Sequence, residues 1–519
     1  MTGANILSTV GESLVSVPFV GSLLQDGLEW WQVALIVLDY LLKFIALGWV
    51  PKDRRPTSAM AWLLAIFLLP FVGILLYFLM GSPYINRRRH RIQDRANELL
   101  RTITRDEPDV PPGAELTEEL TSLVKLNRAL TAIPATTGSL VDLHPDYDAS
   151  IRAMADAVDR AETYVNVEIY IMAWDDTTDV FFRALERAVA RGVKVHLMFD
   201  QVGSWKYPGY LSLGRRLDEI GVEWLMMLPL KPWRWRFRRP DLRNHRKILV
   251  IDGHTAFIGS QNMIDSSYLT SANRRSGRRW VDVMAQVTGP VVTIIDSVFA
   301  VDWYTESKQE LSVSSPTELT RWLDERTDDD ALPDSGADIL QIIPSGPGFT
   351  TEPNLRLFTS VAHHAKHRLQ LVSPYFIPDE SLLEAVTTAA YRGVQVELYV
   401  SEKADQALVG HAQSSYYEAL LRAGVEIHQY PAPAVLHSKF ALADDEVALM
   451  GSSNMDMRSF GLNYEITVLT TGGDLLTSLR RLAATYKKRS HRLTLEEWSR
   501  RPWYLQYLDN VARLTSALQ

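Results

Sequence analysis

Two histidines, two lysines and two aspartates recur in this chain at matched spacing. His245-Arg246-Lys247 is followed by Asp252 and Gly259-Ser260-Gln261-Asn262; His437-Ser438-Lys439 is followed by Asp444 and Gly451-Ser452-Ser453-Asn454. Both copies read H-x-K-x4-D-x6-G-S-x-N, 192 positions apart, in a chain with only 12 histidines. An imidazole can attack a phosphodiester and form a covalent phosphoenzyme, splitting one hard displacement into two easier ones. A second imidazole must then protonate the leaving alkoxide and later deprotonate the incoming alcohol. One histidine from each copy meets both needs. Lys247, Lys439, Asn262 and Asn454 are the groups to bind the non-bridging oxygens, with Ser260 and Ser452 shaping the pocket. Such a site needs no obligatory metal and no organic cofactor. Asp252 and Asp444 complete the repeated set, and salt bridges that hold the motif together are expected of them rather than substrate contact.

The spacing also dictates the element that carries these groups. Between Lys and Asp lie Ile248-Leu249-Val250-Ile251 in one copy and Phe440-Ala441-Leu442-Ala443 in the other. Each is an apolar run suited to a buried strand. Alternate side chains of a strand share a face, so His and Lys, two apart, project together. From Ala149 onward, helical periodicity at 151–160 and 180–191 alternates with strand-like runs at 164–172 and 193–199, which argues for a sheet covered by helices. The order then repeats. Arg191-Gly192-Val193 is echoed 201 positions later by Arg392-Gly393-Val394, and Gly221-Val222-Glu223 is echoed 203 positions later. The first half therefore carries 11 extra residues just before its histidine. The expected fold is α/β: a duplicated α/β/α domain with pseudo-two-fold symmetry and the site at the interface of the halves.

These residues resemble the phospholipase D superfamily, and their surroundings resemble bacterial cardiolipin synthases. The carriers are Arg243-Asn244-His245-Arg246-Lys247, the run from Asn454 through Arg458-Ser459-Phe460 to Asn463-Tyr464-Glu465, and Pro344-Ser345-Gly346-Pro347. The resemblance covers the chain from about residue 30 onward. It implies transfer of a phosphatidyl group between two phosphatidylglycerol molecules with release of glycerol, through a phosphohistidine. The alternative is a phospholipase D-type hydrolase, or a transphosphatidylase using another alcohol. The resemblance also implies a carboxylate that orients each histidine, Glu465 for His437 and Asp282 for His245. The separations differ, 28 residues in one case and 37 in the other.

Composition narrows the class further. With 519 residues and 46% hydrophobic content, the chain can fill the cores of two or more domains. The absence of cysteine excludes disulfides, thiolate nucleophiles and Cys-ligated zinc. A net charge of −8 argues against a general nucleic-acid binder. Residues 231–247 nonetheless interleave aromatics with arginines, and Trp233, Arg234, Trp235 and Arg236 there are expected to capture anionic lipid. The alternative readings are an ordinary solvated basic loop, or single-stranded nucleic acid stacked on the aromatics.

Residues 1–30 fit a short amphipathic segment lying on a membrane, and contain no basic residue to open a cleavable signal peptide. Residues 31–82 hold two apolar runs, expected as two transmembrane or membrane-embedded helices. Asp39 and Lys43 stand four apart in the first, and Pro70 with Gly73 interrupts the second, which fits a kinked span or a re-entrant helix. Residues 83–140 read as a polar helical linker, 141–305 as the first half, 306–337 as a hinge and 338–519 as the second half. The expectation is a multi-pass protein of the plasma membrane with a cytoplasmic catalytic region, since five arginines follow the second run against three basic residues in the loop before it. A homodimer is left open. His363, His364 and His367 have metal-compatible spacing but no acidic partner to complete a set, so a solvated helix face is expected. His254 reads as a turn residue. Trp498, Arg500, Arg501, Trp503, Tyr504 and Tyr507 read either as a second interfacial patch or as a helix packed on the catalytic halves.

Overall fold

The computed structural model describes residues 29–52, 56–81, 107–230, 241–311, 338–349 and 351–514, with a few isolated positions besides. The chain divides into two compact units, residues 1–85 and 86–519.

In the first unit the helix Trp30–Trp49 has 20 residues, about 30 Å of rise and enough to cross a bilayer core. Lys43 Nζ donates to Asp39 Oδ2 at 2.7 Å, so the two charges satisfy each other on one helical face. The second apolar run does not form one span. The helix Pro56–Leu68 stops at Leu69, and a new helix, Pro70–Leu76, starts at the proline. A Cβ on Gly73 would meet the Ala65 carbonyl oxygen at 2.6 Å. In a straight helix those residues would stand about 12 Å apart, so the chain turns back at Leu69-Pro70, and Gly73 lets the backbones touch. The interruption is therefore a sharp turn between two helices and not a mild kink in one. At 13 and 7 residues, each helix is too short to cross the hydrocarbon core alone.

The second unit is the duplicated α/β domain. From the junction outward, the first half orders its strands Thr136–His144, Met284–Thr288, Thr255–Gly259, Lys247–Ile251, Tyr164–Ile169, Lys194–Asp200 and Glu223–Met227. The second half repeats that order with Asp338–Ser345, Asn463–Thr470, Val447–Gly451, Phe440–Ala443, Arg368–Val372, Gln395–Ser401 and Glu426–Tyr430, and adds His491–Leu493 at its edge. The halves join where Thr136–Gly138 pairs antiparallel with Asp338–Leu340. One core is shared: Ile248, Val250, Leu442 and Met450 pack there with the helices Val291–Ser307 and Gly473–Arg489. Each half has a further core on its other sheet face.

The stretch expected as a linker contributes to this body. Leu120, Leu123 and Val124 of the helix Glu118–Thr131 pack against Leu357 and Val361 of the second half, and Asn127 Nδ2 donates to Gln341 Oε1 at 3.0 Å. The first strand likewise starts at Thr136, inside that stretch. A helix with one apolar face must bury it, and the second half supplies the surface. Of the expected hinge, residues 312–337 lie outside the described residues, as do 1–28 at the N-terminus.

Candidate active site

Each motif strand is buried on both faces. Ile248 and Val250 enter the shared core while Leu249 and Ile251 enter the first half's own core; Phe440 and Leu442 alternate with Ala441 and Ala443 in the same way. A one-residue slip of such a strand would drive each side chain into the opposite core, where the packing is built for a different one. Its register therefore fixes the histidine two residues before the lysine.

The chain just before each histidine crosses to the other half. Arg243–Asn244 pairs in parallel with Asn463–Tyr464, and the His245 backbone N–H donates to the Tyr464 carbonyl at 2.8 Å. Val435–Leu436 pairs in parallel with Trp280–Val281, and the His437 N–H donates to the Val281 carbonyl at 2.8 Å. These short pairings set the histidine–carboxylate partners opposite to the order expected from the sequence. Nδ1 of His245 lies 3.0 Å from Glu465 Oε1, and Nδ1 of His437 lies 2.6 Å from Asp282 Oδ1. Each imidazole is held by the carboxylate of the other half. Ser452 Oγ donates to Glu465 Oε2 at 2.5 Å, and Ser260 Oγ donates to Asp282 Oδ1 at 2.6 Å. The motif serines thus brace the carboxylates. The preceding glycines allow it: a Cβ on Gly259 would stand 2.2 Å from the Val283 carbonyl oxygen, and one on Gly451 would stand 2.1 Å from that of Ile466.

Nδ1 of His245 also faces the Ser452 carbonyl at 3.1 Å, an acceptor only, so Nδ1 carries the proton and Nε2 keeps its lone pair. Lys247 Nζ donates to the His245 carbonyl, and Lys439 Nζ to the His437 carbonyl at 2.5 Å. Asn262 is tied at both ends of its amide, by the Ile171 N–H at 3.1 Å and by Tyr268 OH at 2.8 Å. Asn454 Oδ1 is buried without a hydrogen-bond partner. His245, His437, Asn262 and Asn454 all line one cavity of about 780 Å³.

The electrostatics of the two pairs differ. Burial pushes His245 well below its ordinary value, and Lys247, Lys439 and His437 push the same way. Burial lowers His437 as well, against the opposing pull of Asp282. Burial raises Glu465 to about 7 despite Lys247. Burial acts on Asp282 in the same direction, but His437 and Lys439 outweigh it and leave that carboxyl below its ordinary range. Lys439 is pushed down by burial to about 8, and Lys247 is also lowered well below its usual value.

Asp252 and Asp444 do not line the cavity. They follow the far ends of the motif strands, roughly 16 Å along the chain from the lysine end at strand rise. Nor, among the described residues, do they form the expected salt bridges. Asp252 accepts backbone N–H groups of Glu162, Thr163 and Tyr164, each at 2.8 Å. Asp444 accepts those of Lys366, His367 and Arg368 at 2.8, 2.8 and 2.7 Å. Both sit at positive φ, 53° and 52°, in the hairpin turn. Each clamps that turn to the start of the neighbouring strand.

Trp233, Arg234, Trp235 and Arg236 lie outside the described residues. His364 Nε2 lies 3.0 Å from Glu446 Oε2, and the N–H of His254 donates to the Ile251 carbonyl within its turn. Among the described residues, the one metal-compatible cluster is Glu397, Glu426 and His428, and Lys487 and Arg368 already hold Glu397. Sequence reasoning missed Tyr170, whose ring meets His245 edge-on at 4.9 Å, and the roles of Arg243 and Arg458. Arg243 is buried against Asp200 at 3.2 Å, Arg458 donates to the Asp241 carbonyl at 2.7 Å, and both line the cavity. A usable signal was present: Tyr170 and Tyr375 follow matching strands in the two halves, and Arg243 and Arg458 flank the motifs.

Comparisons with known proteins point to one family. The family model described as "Cardiolipin synthase, PLD-like domain" matches residues 154–288 and 359–486, one segment per half. A model described as "Phospholipase_D-nuclease N-terminal" matches residues 41–82. The cardiolipin synthase A of Serratia proteamaculans (strain 568) is 31% identical over 500 residues, covering 93% of this chain and 98% of that protein. That of Yersinia pseudotuberculosis serotype IB (strain PB1/+) is 32% identical over 486 residues, covering 92% and 96%. Among solved structures, the phosphatidylserine synthase of Haemophilus influenzae Rd KW20 shares the fold, with a TM-score of 0.56 over 78% of this chain and 100% of that one at 13% identity. With both halves matched in register and the relatives aligned nearly end to end, the chain belongs to the phospholipase D-like cardiolipin synthase family.

Proposed function

We propose that the chain is a membrane phosphatidyltransferase that makes cardiolipin from two phosphatidylglycerol molecules and releases glycerol. The observation that carries this reading is the pair of imidazoles facing one cavity, each held at Nδ1 by a carboxylate from the opposite half. Nε2 of His245 attacks the donor phosphorus and the P–O bond to the headgroup glycerol breaks, while His437 protonates the departing alkoxide. The primary hydroxyl of the acceptor's glycerol then gives its proton to His437 and attacks phosphorus, and the P–N bond breaks. Lys247, Lys439, Asn262 and Asn454 hold the non-bridging oxygens. The pKa directions favour this division of roles. His245 is the more strongly held neutral imidazole, suited to a nucleophile, and ionised Asp282 supports the imidazolium from which His437 donates and to which it returns.

Family membership and the apolar N-terminal helices place the chain at a membrane. The finer reading is a multi-pass protein of the plasma membrane with its catalytic body in the cytoplasm, in which Trp233, Arg234, Trp235 and Arg236 capture anionic lipid. The decisive experiment incubates the purified full chain with phosphatidylglycerol vesicles and identifies the lipid product. Cardiolipin with glycerol supports the transferase. Phosphatidic acid with glycerol replaces it by the phospholipase D-type hydrolase, which would use the same residues with water as acceptor.

A further inference from the structure

The helix Trp503–Arg513 is packed with its apolar side outward. Its inward face presents Asp509 and Ala512, both buried. Asp509 is held there by His411 Nδ1 at 2.7 Å and by Arg501 at 2.7 Å. The outward face carries Trp503, Tyr504, Tyr507, Leu508, Val511 and Leu514, with Trp503 76%, Tyr507 62% and Leu514 82% exposed. At 100° per residue these six fall within one arc of about 140°, and Asn510 and Arg513 lie outside it. The other aromatic of this region is spent inward, since Trp498 packs on Tyr417 at 5.0 Å with Arg501 over its ring at 3.9 Å. A contiguous face of Trp, Tyr and Leu on a soluble body marks a contact with another apolar phase.

Its position relates it to the cavity. The helix packs on Ala407–Ala423, whose first residues, Leu408 and Val409, line the cavity. The two helices run in parallel register: His411 meets Asp509, and Tyr416 meets Arg513. Trp503 and Tyr504 therefore lie at the cavity end of that helix pair. Trp205 and Leu408, both exposed, line the mouth as well. The first half adds charge there. It has 20 positions from Asn262 to Asp282, against 11 from Asn454 to Glu465. The extra chain holds the helix Ser271–Ser276 and Arg274, Arg275, Arg278 and Arg279, of which Arg278 lines the cavity. Aromatics and leucines beside arginines match the boundary between headgroups and acyl chains of an anionic bilayer.

We infer that the outward face of the helix Trp503–Arg513 inserts into an anionic lipid bilayer and seats the cavity mouth on it. The inference rests on the lipid-transfer reading for the chemistry of its partner, whereas its test reads insertion and not turnover. Because the chain has no cysteine, Tyr507→Cys, Leu514→Cys and Asn510→Cys can each carry a single environment-sensitive fluorophore. Each full-length variant is placed in nanodiscs of phosphatidylglycerol and phosphatidylcholine containing a lipid-borne quencher. The labels at 507 and 514 should shift to the blue and be quenched several-fold more than the label at 510. Combining Arg274→Ser, Arg275→Ser and Arg279→Ser with Tyr507→Cys should reduce that quenching. Equal quenching at all three positions, or none at 507 and 514, overturns the inference. Shielding of 507 from aqueous iodide that grows with protein concentration, without lipid quenching, assigns the face to a second copy and overturns it equally. Strong quenching in a protein that makes no cardiolipin would leave this inference standing and sink the proposed function alone.

Discussion

Nδ1 of His245 lies 3.0 Å from Oε1 of Glu465, a carboxylate 220 residues downstream in the opposite half. The mirror pair, His437 and Asp282, is 155 residues apart at 2.6 Å. Neither half therefore holds a complete histidine–carboxylate unit. The parallel pairing of Arg243–Asn244 with Asn463–Tyr464, and of Val435–Leu436 with Trp280–Val281, makes the site a property of the joined halves.

The cross-pairing has a direct kinetic consequence. Glu465→Gln should behave like a His245 variant, losing turnover by roughly a hundredfold or more and failing to accumulate a covalent adduct. Asp282→Asn should behave like a His437 variant, slow to turn over yet still able to form the adduct. A trapped adduct in Glu465→Gln together with none in Asp282→Asn would reverse the partners.

The histidines themselves divide the same way. Either His245→Ala or His437→Ala should reduce turnover about a thousandfold or more. Acid-quenched labelling with radioactive phosphatidylglycerol should find an adduct in His437→Ala and none in His245→Ala. The opposite labelling would move the nucleophile to His437.

On the alkaline side His437 first loses the proton it must donate, and a further limb near pH 8 should belong to Lys439. This ammonium is held at about 8 by burial, so it is charged below that pH and loses its charge as pH rises through it. If the charge binds the phosphate oxygens, kcat/KM of the free enzyme falls further above pH 8. Toward acid, rate falls first as Glu465, raised by burial to about 7, takes up a proton and ceases to hold His245 as a carboxylate, and then as His245 itself, lowered by burial, becomes protonated. Lys439→Arg, whose guanidinium stays charged, should remove the limb near pH 8 even if the maximal rate drops. An unchanged limb near pH 8 would point to another group.

Asp252 and Asp444 should matter to stability more than to chemistry. Each carboxyl group accepts three backbone N–H groups. Asp252→Asn or Asp444→Asn should each cost about 1–2 kcal/mol, read as a lower denaturation midpoint, with adduct formation per folded molecule little changed. For Asp444 burial works to raise the carboxyl, but the N–H groups of Lys366, Arg368 and His367 prevail and leave it below its ordinary value. Its contribution is therefore fully present above the unfolded carboxyl's pKa and fades as pH falls through the lower folded one. A rate loss comparable to that of His245→Ala, with an unchanged midpoint, would place the aspartates in the chemistry after all.

Chelation should leave activity standing. Lys247, Lys439, Asn262 and Asn454 supply the positive charge and donors that metals provide at other phosphoryl-transfer sites. With detergent-dispersed phosphatidylglycerol, which avoids effects of divalent ions on vesicle surfaces, EDTA should leave most of the rate. Complete loss restored by one stoichiometric ion would count against the site as drawn.

The sequence by itself determined the parts of this protein that depend on local spacing. The repeated motif placed the apolar runs after Lys247 and Lys439 on buried strands, with each histidine in the segment that leads into its strand. The echo of Arg191-Gly192-Val193 in Arg392-Gly393-Val394 announced the duplication. Tertiary structure alone decided what depends on register between distant segments. The family resemblance implied pairing each histidine with the carboxylate downstream in its own half, but two short parallel pairings across the halves exchange them. Asp252 and Asp444 read as charges seeking salt bridges, yet a left-handed turn aims them at free backbone N–H groups. The second apolar run read as interrupted at Pro70 and Gly73, and contact of Gly73 with Ala65 makes that interruption a turn between two helices. The aromatic C-terminal segment could pack or stay exposed by composition; its helix does both, because Asp509 finds His411 and Arg501 inside and thereby turns Trp503, Tyr504 and Tyr507 outward.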